Sequence, residues 1–191
     1  MELDCGYSGW DTETEEYLGD PDPDTGRGTN HPEINVIMWS WCGQVDEVDL
    51  TSHYLTPMSE LESKYPGIVF IYMTGHLEGK GPEGSVNQAN KQIRQFCIDN
   101  NKVLYDFADI ESYDPDGNYY LDKNADDGCN YDSDNNGTLD SNWAVNWQNS
   151  HTEGVDWYNC SCAHSQPLNG NLKAYAAWYM FARLAGWEGN D

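Results

Sequence analysis

Ile68-Val69-Phe70-Ile71-Tyr72-Met73 is an unbroken apolar run, closed before it by Tyr65-Pro66-Gly67 and after it by Thr74-Gly75. A short apolar run between turn residues, with no polar alternation, reads as a strand buried on both faces, as in a parallel sheet. Just upstream, Leu50, Tyr54, Met58, Leu61 and Tyr65 recur every three to four residues and line one face of a helix. Pro57 falls off that face and predicts a kink. Just downstream, residues 86–100 read as a second helix with Ile93, Phe96 and Cys97 inward. Beyond these helices lie two more apolar runs, 34–41 (INVIMWSW) and 103–107 (VLYDF). Strand, helix, strand, helix, strand argues for an α/β fold of flavodoxin-like type: a parallel sheet covered by helices, hence a three-layer α/β/α sandwich.

Further outward the rhythm stops. Residues 1–33 are acidic and turn-rich, with Asp20-Pro21-Asp22-Pro23-Asp24 before Gly26 and Gly28, and read as a loop-rich N-terminal segment. Residues 34–191 read as one α/β domain. Within it, 108–167 is a long polar, Asp-rich insertion of the kind that is functional or tied down by metal and disulfides. A last amphipathic helix covers 172–187, ended near Gly186.

The formal charge is -24, from 33 Asp and Glu against 9 Lys and Arg. That surface repels nucleic acid and anionic membranes, which are held by basic side chains. No apolar run reaches the roughly 18 residues of a membrane span. No signal peptide is visible at Met1-Glu2-Leu3-Asp4, so an exported chain would be a mature form or part of a longer precursor. Cys5, Cys42, Cys97, Cys129, Cys160 and Cys162 are an even set in a lysine-poor chain, which favours disulfides and a secreted, extracellular setting. Cys97 with Cys129, and Cys42 with Cys160 or Cys162, are the expected pairs. Asn136-Gly137-Thr138 and Asn159-Cys160-Ser161 match the N-glycosylation pattern.

The sharpest local motif is Asp132-Ser133-Asp134-Asn135-Asn136-Gly137-Thr138-Leu139-Asp140. Oxygen side chains at alternate positions followed by Gly make most of an EF-hand-type loop, so calcium is expected on Asp132, Asp134, Asn136 and Asp140. Trp143 stands where the bidentate closing Glu would be. Asp122, Asn124 and Asp126 add a second acidic run, and Asp114-Pro115-Asp116-Gly117-Asn118 a third.

Trp39-Ser40-Trp41-Cys42-Gly43-Gln44, Tyr72-Met73-Thr74-Gly75-His76, Asp106-Phe107-Ala108-Asp109-Ile110-Glu111 and Cys162-Ala163-His164 occur in an order that resembles the SGNH/GDSL hydrolase superfamily, in a branch of uncharacterised exported proteins. The resemblance covers about residues 34–187. It implies an ester hydrolase acting on acylated polysaccharide, with His164 as general base and Gly43 and Gln44 beside the oxyanion. Ser161 stands where that family has an Asp, and Gly43-Gln44 replaces its Gly-x-Asn. The nucleophile's strand is not found before Ile34; Ser8, in Gly6-Tyr7-Ser8-Gly9, is the one serine in a comparable glycine setting. Asp106 and Asp109 fall at a strand's carboxyl end, where α/β sites gather or where they cap. The competing expectation is a non-catalytic extracellular module that binds glycans or builds an assembly, as a homo-oligomer or with a partner chain completing the sheet. That last case requires an edge of the 34–41 strand to be unpaired.

Overall fold

A computed structural model describes residues 8–41 and 44–189. The chain forms two compact units, residues 1–74 with 89–104, and residues 75–88 with 105–191.

The first unit is built on a parallel sheet in the order β1 (Val36–Met38), β2 (Val69–Met73), β3 (Val103–Tyr105). Val36 sits opposite Val69 and Met38 opposite Ile71. The three apolar runs thus become neighbouring parallel strands flanked by helices, as the alternation required. β2 is buried at Phe70, Ile71 and Tyr72. β1 departs from expectation. It is three residues long, half-buried at Val36 and Ile37, and 40 % exposed at Met38. A strand at the sheet margin has one neighbour, so its composition alone did not show how much of it is covered.

Helix α1 (Trp10–Leu18) lies in the segment expected to be loop. Trp10, Thr14 and Leu18, four residues apart, are its buried face. Trp10 stacks on Trp39 with ring centroids 4.2 Å apart, and its indole donates to the His53 carbonyl at 3.0 Å. The helix expected over 50–65 has two parts. Thr51–Leu55 is a π-helical turn, and α2 (Thr56–Lys64) follows it. Pro57 is buried two residues after that turn, and with no N–H to return to the turn's carbonyls and a ring that crowds them, it fits a wider turn before it. The expected kink is therefore a widened turn immediately before the proline. Tyr54, fully buried, donates from its hydroxyl to the Trp39 carbonyl at 2.8 Å and accepts from Met73 N–H at 2.9 Å. One phenol thereby joins the ends of β1 and β2. Ile93 and Cys97 of α3 (Ser85–Asp99) are buried as expected, with Phe96 half-buried against Tyr72.

In the second unit the long insertion is ordered. Phe107 leaves the strand pattern and opens α4 (Phe107–Ser112), because the Asp106 carboxylate accepts the Asp109 N–H and caps the helix. A 3-10 turn at Leu121–Lys123 leads to a small antiparallel hairpin, β4 (Asn130–Tyr131) and β5 (Ser141–Asn142), then to α5 (Trp143–Ser150) capped by Asn142. The last helix, α6 (Pro167–Leu184), begins earlier than periodicity suggested because Pro167 starts it. Two small cores form here: Leu77, Ala108, Leu121 and Ala125, and Cys129, Trp143, Ala144 and Leu168. Tyr120 and Tyr131 pack against both.

Candidate functional site

A buried polar cluster in the second unit surrounds Glu111. Its carboxylate is fully buried. One oxygen accepts from Leu77 N–H at 2.7 Å and the other from Lys173 Nζ at 2.7 Å. Burial pushes the Glu111 carboxyl up, and Lys173 only partly offsets that. Lys173 Nζ also lies 3.9 Å from the centroid of the Phe107 ring, a cation–π contact. The Lys173 carbonyl accepts from the Tyr105 hydroxyl at 2.7 Å, and burial pushes that phenol up to about 12. Beside this group, His76 Nδ1 is 2.8 Å from the Leu77 carbonyl and 3.9 Å from an Asp127 carboxylate oxygen. A carbonyl only accepts, so Nδ1 carries a proton and points it at the Leu77 carbonyl. An imidazole held in one orientation is suited to proton transfer. Neither His76 nor the Glu111–Lys173 pair stood out by spacing. The signal was a carboxylate within the apolar end of Phe107-Ala108-Asp109-Ile110-Glu111.

The expected catalytic residues are divided between the two units, His164 in the second and Ser8 and Gln44 in the first. His164 is exposed, with φ 55, and its ring makes no hydrogen bond to a described residue. Ser8 is exposed ahead of α1 in the first unit. Gln44 is half-buried and has partners of its own, and Gly43 lies outside the described residues. Two serines do touch histidines, Ser52 with His53 and Ser150 with His151, each at 3.0 Å. Both pairs are sequence neighbours, and Ser150 donates to the Trp147 carbonyl at 2.9 Å. Neither is a nucleophile and base held by separate elements.

The acidic turns close on themselves. Asp132, nearly buried, accepts Asn136 N–H at 3.1 Å and Gly137 N–H at 2.7 Å. Burial acts to raise its pKa, but the N–H donors of the turn together outweigh it and hold the carboxyl below the usual range. Asp134 accepts Asn136 N–H, Asn136 accepts Thr138 N–H, and Asp140 accepts Ser133 N–H. Asp114 accepts Asp116 and Asn118 N–H and the Tyr120 hydroxyl. Asp126 accepts Asn130 N–H, Asn124 ends the 3-10 turn in the left-handed region, and Asp122 is exposed. Among the described residues, no three His, Cys, Asp or Glu side chains converge to hold a metal ion. Calcium loops also use Asn and backbone carbonyl oxygens, and Asp132, Asp134, Asn136 and Asp140 all lie in this one turn.

Among the described residues no two cysteine sulfurs stand at disulfide distance, and Cys97 and Cys129, the expected pair, lie in different units. Cys97 is buried in the face of α3, and Cys129 is buried against Trp143 and Leu168 in the second unit. Cys5 and Cys42, and with Cys42 its expected pairing to Cys160 or Cys162, lie outside the described residues. The outer face of α6 is unusually aromatic: Trp178 is 74 % exposed, with Tyr175 and Tyr179 beside it. No described helix is long and apolar enough to cross a membrane. No family model, no curated protein and no solved structure matches the chain.

Proposed function

We propose that this chain is an assembly module that accepts a strand from another polypeptide along the outer edge of β1. The carrying observation is the state of that strand. Parallel sheets are ordinarily buried on both faces. β1 instead has, among the described residues, one strand neighbour, β2, and exposes Met38. Val69 N–H donates to the Asn35 carbonyl at 2.9 Å. By the alternation of a parallel ladder, the N–H groups of Val36 and Met38 then point away from β2. They are ready donors for an added strand. The occupant is an extended apolar segment of a different protein. A second copy would bring another charge of -24 to the contact. The exposed aromatic face of α6, in the other unit, is a second sign of packing surface left uncovered. With the strand added, the sheet would become the middle layer of the α/β/α sandwich that the sequence resembles.

Hydrogen exchange on the isolated protein tests this. The Val36 and Met38 amides should exchange freely, then become protected when a synthetic peptide of alternating valine and threonine is added. Met38→Lys should abolish the protection, since a charged edge residue discourages pairing. Slow exchange of both amides in the isolated monomer would sink the idea, as would no protection at saturating peptide. The ester-hydrolase reading rests on the sequence resemblance, with the His164 ring exposed and open to a partner from outside the described residues. It needs a nucleophile, and labelling by a serine-directed fluorophosphonate tests for one. No labelling would end that reading.

A further inference from the structure

We infer that Cys160 and Cys162 are a redox-active dithiol that closes to a C-x-C disulfide by exchange with small-molecule or protein disulfides. Their sulfurs are 3.4 Å apart, in contact but unbonded. They are held there by the first turns of α6. A methyl group at Gly170 would stand 2.3 Å from Cys162 Sγ and 3.2 Å from Cys160 Sγ, so the absence of a side chain at Gly170 is what lets both thiols sit against the helix. Cys160 is 3.6 Å from the Pro167 carbonyl and 3.6 Å from Asn171 Nδ2. The pair is asymmetric. Cys160 is exposed and Cys162 half-buried. Burial, then the neighbouring Cys160, push the Cys162 thiol up.

The asymmetry orders the steps. The Cys160 thiolate attacks one sulfur of a disulfide RS–SR, forming a mixed disulfide and expelling RS⁻. Cys162 then loses its proton to solvent and attacks Cys160 Sγ, expelling the second RS⁻. The two thiols give up two protons and two electrons, and RS–SR takes up both electrons to leave as two RSH. A ring closed across a single intervening residue is tight, so the bond should open readily when reduced thiol is in excess. Cys129, fully buried against Asn169 with its thiol pushed up to about 11, is not an exchange partner.

The test is equilibration of the whole reduced protein with oxidised glutathione, followed by alkylation of remaining thiols and peptide mass spectrometry. The expected product is a Cys160–Cys162 disulfide with no stable glutathione adduct on either residue. Cys162→Ser should instead accumulate a glutathione adduct on Cys160. Gly170→Ala should slow closure by about tenfold or more, as displaced reacting atoms do. The wild-type result alone decides the matter if a variant fails to fold. A bridge from Cys160 or Cys162 to Cys129, Cys5 or Cys42 would overturn the inference. So would a persistent adduct on Cys160 with Cys162 still reduced, or both thiols unchanged.

Discussion

Glu111 is the residue whose surroundings are most demanding. It is a fully buried carboxylate held by one backbone N–H and one ammonium. Replacing only one member of such a pair leaves the other charge buried without a partner, which costs about 3–5 kcal/mol. Glu111→Ala should therefore destabilise the fold by about that much in urea titration. The double change Glu111→Leu with Lys173→Met should recover most of the loss, because two apolar chains of similar volume need no hydration. The pH dependence has a definite sign. The folded-state pKa of Glu111 lies above its unfolded value. Between those values the folded state binds more protons, so the contribution of Glu111 to stability falls as pH rises. The stability of wild type minus that of Glu111→Gln should thus increase on acidification from neutral pH toward about 4.3, the unperturbed Glu value. A difference that shrinks instead would mean the Lys173 pair outweighs burial. This site was hard to read from the chain because its members, Leu77, Glu111 and Lys173, are far apart in sequence and share no spacing rule.

Among the elements, the strands and the first two central helices were legible because each carries a period. Uninterrupted runs marked β2 and β3, and three-to-four spacing marked α2 and α3. α1 carries a period too, the four-residue spacing of Trp10, Thr14 and Leu18, but the acidic residues between them and the Asp-Pro repeat that follows obscure it. The insertion was not legible, since its order comes from side chains bonding their own backbone and leaves no apolar period. The 132–140 turn shows the consequence. Its acidic residues read as calcium ligands, yet each carboxylate is engaged by N–H groups within the turn. Asp132→Ala should open it, seen as fast exchange of the Asn136 and Gly137 amides and a lower Tm. Because the Asp132 pKa is lowered, the turn should hold at neutral pH and down through the usual Asp value of about 3.9, opening only as pH falls through the lowered one. The same carboxylates keep lone pairs that the amides do not use, so chelation separates the two readings: an unchanged Tm means that the amides alone close the turn. A fall in Tm on chelation would restore calcium as its ligand.

At the scale of the whole molecule, 33 acidic side chains face 9 basic ones. Several of the basic groups are already committed. Lys64 pairs with Glu15, Lys80 with Glu78, Lys102 with Glu62 and Lys173 with Glu111. The remaining carboxylates therefore repel one another across the surface with little local compensation. Such repulsion works against the compact state, because unfolding lets the charges separate. It acts over distances comparable to the Debye length, about 10 Å at 0.1 M salt and about 3 Å at 1 M. Surface ion pairs are also weakened by salt, but each contributes only about 0–1 kcal/mol, and the Glu111 pair is shielded by burial. Repulsion among many charges should therefore dominate the response. Raising sodium chloride from low concentration should raise Tm, by roughly 2–4 °C for each kcal/mol of repulsion removed from a chain of this size. Potassium chloride should do the same, since general screening does not distinguish the two cations. Calcium chloride at matched ionic strength separates screening from binding: an equal rise means screening, and a much larger one means a bound ion. A Tm that falls with added salt would show that the ion pairs, rather than the net charge, govern the electrostatics of the fold.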